Sequence, residues 1–280
     1  MPIDPIAAMF VGQYQARRVP RASRLSDMIG HRLNEIPVGP DYTRPHPHSS
    51  VGIEVEVEGI REYRDTFFKR WRIDENEGSL VNGIEFISEP VWGTAITDTL
   101  EELADFFAIH PPYISFRTSV HVHLNVLDLT PQQLKRMIEL YLVYEPALFR
   151  LHDKWDRGNC IFCVPAHQSV VIQQGYSLLF RDLDKGGVHA AYSPWKYSAL
   201  NTNCLRTLGT LEFRHMGGTD DMNEVSNWID VLLQLKVAAI LDEPLFEPAE
   251  VWQEQLPKLT ITDEDLTKGK RLVDYLNIWR

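Results

Sequence analysis

A chain of 280 residues that is 44% hydrophobic and 24% charged has globular composition with ample length for a large core, and no stretch reaches the apolar length of a membrane span. Its net charge of −11 argues against a general nucleic-acid-binding surface and permits cation-rich partners. Three cysteines, Cys160, Cys163 and Cys204, suit reduced thiols better than a disulfide framework. The N-terminal stretch has no basic region ahead of an apolar one, so the expectation is a cytoplasmic protein without a secretory signal.

Residues 1–50 carry six arginines (17, 18, 21, 24, 32 and 44) against four acids and end in the loop-like PVGPDYTRPHPHSS. This is an N-terminal arm, expected to pack across a single domain of residues 51–280, with contact to a phosphate-bearing partner as the alternative. The domain opens on GIEVEVEG, where Glu54, Glu56 and Glu58 alternate with Ile53, Val55 and Val57. Successive side chains of a strand point to opposite faces, so the aliphatics can enter a core while the glutamates share the other face. Like charges so placed repel, which leaves two readings open: a half-solvated strand, or a face that holds a divalent cation.

Strands are predicted next at 68–73 and around GIEFIS, separated by the acidic turn DENEG. A helix is predicted from Thr97 or Asp98, with Leu100, Leu103, Phe106 and Phe107 on its apolar face, ending before Pro111 and Pro112. SVHVHLNVLD reads as a strand, and LTPQQLKRMIELYLVYEPALFRL as a helix with Thr130 as N-cap and Pro131 at its first position. CIFC at 160–163 has metal-knuckle or redox spacing but lacks a partner pair, and reads as structural. Strands at 195–201 and 208–215 and helices over EVSNWIDVLLQLKVAAILD and ITDEDLTKGKRLVDYLNIW complete the chain. The fold class is α+β, an antiparallel sheet with helices on one face.

Four of these strands share one design. His121 and His123 alternate with Val120, Val122 and Leu124; Glu212 and Arg214 alternate with Leu211 and Phe213; Glu85 sits among Ile84, Phe86 and Ile87. If the aliphatics face the helices, Glu54, Glu56, Glu85, His121, His123, Glu212 and Arg214 converge over the opposite face. Oxygen-rich ligation with little imidazole suits Mg2+ or Mn2+ rather than zinc, and hard cations beside an arginine can grip a nucleotide triphosphate. No glycine-rich phosphate loop occurs, so a nucleotide would be held by metals and side chains.

The order GIEVEVEG, EGSLVNGIEFIS, SVHVHLN, KYSALN, GTLEFR resembles the amidoligase branch of the carboxylate-amine ligases, relatives of glutamine synthetase and glutamate-cysteine ligase, over about residues 51–220. The resemblance implies a glutamine-synthetase-like curved antiparallel sheet, a half-barrel funnel with ATP entering one end. It implies metal ligation by Glu54, Glu56, Glu77, Glu85, His121 and Glu212. His123 would face phosphate or substrate, Arg214 would stabilise the phosphoryl group in transfer, and Lys196, Tyr197 and Asn201 would contribute to nucleotide and substrate binding. This chain has Glu77-Gly78-Ser79 where relatives often have Asp-Gly-Ser, and Glu58 has no counterpart.

The implied activity is ATP-dependent carboxylate-amine ligation with Mg2+ or Mn2+: a carboxylate is phosphorylated and the acyl phosphate is attacked by an amine. Small-molecule or peptide carboxylates and amines are the expected substrates, a modified nucleobase staying open, with no membrane partner; oligomerisation is left open. Glu58 and Glu89 are candidates for the base that takes the amine's proton. Two alternatives stand beside this: a cupin-type oxygenase or metal-dependent hydrolase using His121 and His123 with Asp128 nearby, and an inactive ligase fold that binds without turnover.

Overall fold

The computed structural model describes Leu25 and residues 50–152, 155–185, 196–241 and 261–278. Its sheet is built from β1 (Val51–Glu58), β2 (Trp71–Asp74), β3 (Gly83–Ser88), β4 (Ser119–Asn125), β5 (Leu200–Asn201) and β6 (Thr210–Gly217). The strands lie in the order β2-β3-β1-β4-β6-β5, every neighbouring pair antiparallel, and the sheet is not closed into a barrel. The helices are α1 (Thr94–Ile109), α2 (Pro131–Leu151), α3 (Val170–Asp184), the single turn α4 (Cys204–Thr207), α5 (Met222–Leu241) and α6 (Asp263–Ile278). The fold class is therefore α+β, as expected.

The strand period of two sorts the chemistry. Ile53, Val55 and Val57 of β1, Val120, Val122 and Leu124 of β4, and Leu211 and Phe213 of β6 are buried in one core with the apolar faces of the helices. Phe86 of β3 meets Phe106 and Phe107 of α1 edge-on or tilted, and Trp71 Nε1 donates to the Thr99 carbonyl at 2.9 Å, fixing α1 over the sheet. Register then brings the polar face into a row: Glu85 opposite Glu56, Glu54 opposite His121, His123 opposite Glu212, and Glu212 opposite Asn201.

Several boundaries differ from expectation. Helix α1 starts at Thr94 instead of Thr97 or Asp98, because Gly93 precedes it without any side-chain cap for a sequence rule to find. The strand expected at 195–201 is reduced to Leu200–Asn201, since among residues 196–199 the pairing is a bridge from Ser198 to Val164. The 68–73 strand is Trp71–Asp74. Helix α3 was not anticipated, although Ser169 caps it and Ile172, Tyr176, Leu179, Phe180 and Leu183 have helical spacing. Helix α2 has the predicted start, with Thr130 and Gln133 forming a reciprocal capping box. Of the arm, Leu25 is fully buried and its N–H donates to the Leu129 carbonyl at 2.9 Å; apart from Leu25 and Ser50, the basic arm lies outside the described residues.

Candidate active site

The polar row floors a cleft of about 510 Å3. Every site residue expected from the sequence lines it: Glu54, Glu56, Glu77, Glu85, His121, His123, Lys196, Tyr197, Asn201, Glu212 and Arg214. Seven of these come from β1, β3, β4 and β6, so their spacing is set by strand separation and register; Glu77 comes from the β2–β3 turn and Lys196 and Tyr197 from the approach to β5. Glu58 points elsewhere: its Oε1 accepts from the Val81 N–H at 2.7 Å and steadies the β2–β3 turn. Glu89 pairs with Arg70 at 2.9 Å. Neither lines the cleft.

Glu54 ties the two histidines together. Its Oε2 lies 3.1 Å from His121 Nδ1 and its Oε1 lies 3.2 Å from His123 Nε2. Burial opposes its ionisation, yet the hydrogen bonds and charge of both imidazoles hold its carboxyl far below the usual range. Burial lowers His123, but hydrogen bonds to Cys204 and Glu54 and the charges of Glu54 and Glu212 hold it well above the usual imidazole value. Glu212 is likewise lowered, burial being outweighed by His121, Arg214 and His123.

Glu85 behaves in the opposite way. Burial, then the charges of Glu54, Glu56, Glu77 and Asp74, push its carboxyl up to about 8. Among the described residues that end of the cleft gathers more negative charge than the neighbouring cations balance. One oxygen or nitrogen each from Glu54, Glu85 and His121 lies within 4.8 Å of the others, so a cation there would touch all three.

Sequence reasoning missed Ser119. Its hydroxyl donates to Glu56 Oε2 at 2.5 Å, and His121 Nε2 lies 2.8 Å from Ser119 Oγ. With its proton given to Glu56, Ser119 can only accept from the ring, which places N–H on Nε2. Nδ1 then hydrogen-bonds Glu54 at 3.1 Å in the metal-free ring, 3.7 Å from Glu212 Oε1, and is the nitrogen that would give up its proton to ligate a cation there. Ser119 stands two residues before His121 on the same strand face, and that spacing was the available signal.

Arg214 hydrogen-bonds Glu212 and donates from Nε to the Phe162 carbonyl at 3.1 Å. It lies on a stretch of β6 where the pairing with β4 slips by one residue between Phe213 and Met216, so that Glu212 and Arg214 face the cleft while Met216 returns to the core. Arg157, also missed, lines the cleft and braces this stretch by donating to the Arg214 carbonyl at 2.9 Å. Asn201 donates to Glu212 Oε2 at 2.5 Å, so its amide orients that carboxylate. Lys196 and Tyr197 stand together at the rim, the ammonium 5.6 Å from the ring centroid. Asp128, the acid that LNVLDL offers where a cupin-type site would want a Glu, is paired with Lys236 at 2.7 Å and does not line the cleft. Cys160 and Cys163 are free thiols.

A family model described as "Putative amidoligase enzyme" matches residues 72–236. A search of curated proteins found no match to the chain.

Proposed function

The chain belongs to the amidoligase family, whose model spans more than half of it, and from that premise we propose that it is an ATP-dependent carboxylate-amine ligase working through an acyl phosphate in the cleft described above. The observation that carries the reading is the row of carboxylates and imidazoles along four strands, with Arg214 at one side and Lys196 at the mouth. A half-barrel sheet of the glutamine synthetase kind is part of the same proposal.

The donor set fits a hard divalent cation. Glu54, Glu85 and His121 would hold one, with Glu56, Glu77 and Glu212 adjoining, and the raised Glu85 carboxyl marks where positive charge is wanted. When bound, Mg2+ or Mn2+ supplies charge neutralisation for a triphosphate and for the group in transfer. The protein's own groups do the rest. Ser119 and Glu54 fix the His121 ring; Asn201 orients Glu212. Arg214 would present guanidinium donors to the phosphoryl oxygens where charge is redistributed. His123, held by Thr210 and Glu54, would face the phosphate or the substrate carboxylate. Lys196 and Tyr197 would meet the nucleotide or substrate as it enters. The carboxylate and amine are small molecules or peptides, and the cleft's volume suits either end of such a substrate.

The test is ADP release from Mg2+ and ATP across pools of carboxylates and amines, in the wild type and in Glu56→Gln. Release that requires both a carboxylate and an amine, and that falls by about two orders of magnitude or more in the variant, is expected. Nucleotide binding without turnover in any pool would favour the inactive binding fold; activity supported by iron or zinc and independent of ATP would favour the histidine-centred oxygenase or hydrolase.

A further inference from the structure

Beside the oxygen-rich group lies a second cluster of different chemistry. His123 of β4, Cys204 at the first position of α4 and Glu212 of β6 each offer one ligand atom within 4.8 Å of the others. His123 and Glu212 are buried and Cys204 is half-buried. We propose that these three side chains form a binding site for a soft or borderline divalent cation of the zinc class, separate from the hard-metal position at Glu54, Glu85 and His121. The inference stands apart from the ligase reading, because such binding needs no nucleotide.

The geometry points the same way as the chemistry. Ligands arranged tetrahedrally at zinc bond lengths of roughly 2.0–2.3 Å sit about 3.3–3.8 Å from one another. Cys204 Sγ already lies 3.5 Å from Glu212 Oε2. Thr210 Oγ1, 3.2 Å from His123 Nδ1, can accept that N–H, which makes Nε2 the ligating nitrogen once its contact with Glu54 Oε1 at 3.2 Å is exchanged for the ion. Asn201 supports the other two, its Nδ2 standing 2.5 Å from Glu212 Oε2 and 3.8 Å from Cys204 Sγ. A thiol is a poor ligand for Mg2+ and a good one for zinc, so the sulfur decides between ion classes that carboxylates alone would not separate. On ligation the Cys204 thiol proton and the proton that His123 Nε2 shares with Glu54 both leave to solvent, and the thiolate and the Glu212 carboxylate together balance the charge of the ion. Three protein ligands leave the fourth position to the cleft.

Glu54, 3.2 Å from His123 Nε2, and Glu212 join the two positions. Glu212 Oε2 faces Cys204, while its Oε1 lies 3.7 Å from His121 Nδ1 on the hard-metal side. Occupancy by zinc would therefore draw on a carboxylate that the hard-metal side also uses.

The experiment is a titration of the full chain, freed of metal by chelation and without nucleotide, with Co2+ as a spectroscopic probe for zinc. The expected result is a thiolate-to-cobalt charge-transfer band in the near ultraviolet with four-coordinate visible absorption, saturating at one ion per chain. Zn2+ should displace it, and excess Mg2+ should not. Cys204→Ser should abolish the band and weaken Zn2+ binding by at least about tenfold, with Cys204→Ala as a second variant, while Cys160→Ser should keep the band. Absence of the band in the wild type, its displacement by Mg2+, or its survival in Cys204→Ser with loss in Cys160→Ser or Cys163→Ser would overturn the assignment. Because ATP is absent, none of these outcomes depends on whether the protein is a ligase.

Discussion

Single side chains carry the functional argument, and two of them separate competing roles. Arg214 is paired with Glu212 and bonded to the Phe162 carbonyl, so it has a structural duty whatever else it does. Lysine retains the charge but not the forked donors. If Arg214 acts on the phosphoryl group, Arg214→Lys should bind nucleotide normally and turn over roughly two to three orders of magnitude more slowly. Near-normal turnover with a lowered melting temperature would reduce it to a pairing residue. Ser119 makes the complementary case, since its hydroxyl is bound to Glu56 and to the His121 ring and acts through that ring. Ser119→Ala should weaken Mn2+ binding by about 10- to 100-fold, read by calorimetric titration, because the ring loses the partner that selects its tautomer. Unchanged affinity would show that Glu54 alone orients the ring.

At the scale of elements, the cleft depends on how tightly the layer behind it is packed. Helices α2 and α6 cross where a Cβ on Gly269 would lie 2.4 Å from Val143 Cα, backbone that cannot turn aside. Gly269→Ala gains about 1 kcal/mol of helix propensity but incurs overpacking of about 1–3 kcal/mol. A net loss of roughly 1 kcal/mol, seen as a lower midpoint in urea, is expected; a gain would mean that the two helices can move apart freely. Helix α2 also anchors, through Glu145, the segment that follows Phe162. That carboxylate, 1% exposed, accepts from the Tyr141 hydroxyl at 2.5 Å and from the N–H groups of Ala166 and His167 at 2.8 and 3.0 Å. The segment carrying Arg157 and Phe162 is thereby tied to the helix layer, close to the strand stretch that bears Arg214.

Over the whole molecule, charge at the site should appear as a pH dependence of stability in the metal-free protein. Glu85 is raised from 4.5 to about 8, so as pH rises between those values the folded state holds a proton that the unfolded state has lost, and stability falls. His123 is raised above 6.5, so its contribution is complete below that value and is lost as pH rises through the folded value. His152 is lowered to about 4 by burial and His215 is lowered as well; both reduce stability only below 6.5. The clean window is therefore pH 6.5 to 8, where the melting temperature in chelator should fall. The slope should be smaller in Glu85→Gln, and adding Mg2+ should flatten it. A flat profile in chelator would mean that the carboxylates are not crowded as described.

How much of this was legible beforehand follows from distance along the chain. Strand alternation is a local property, so GIEVEVEG, SVHVHLN and TLEFR declared by themselves which side chains would share the polar face, and Thr130 with Pro131 and Gln133 declared the start of α2. The same alternation put Glu58 on that face, but only the turn at Val81 decided that it would serve as a backbone acceptor instead of a cleft residue. Register did what no single strand could: pairing Glu54 with His121 and His123 with Glu212 across β1, β4 and β6 made two metal-sized groups out of a row of alternating residues. Cys204 joined one of them from a separate helical turn. Arg157 reached the site through a contact 57 residues away in sequence, and Ser119 gained its role from a carboxylate 63 residues away. The sequence by itself thus determined the composition of the polar face, because side-chain direction is set within two residues. The tertiary structure alone decided which of those groups stand within bonding distance, because that depends on pairings between segments far apart in the chain.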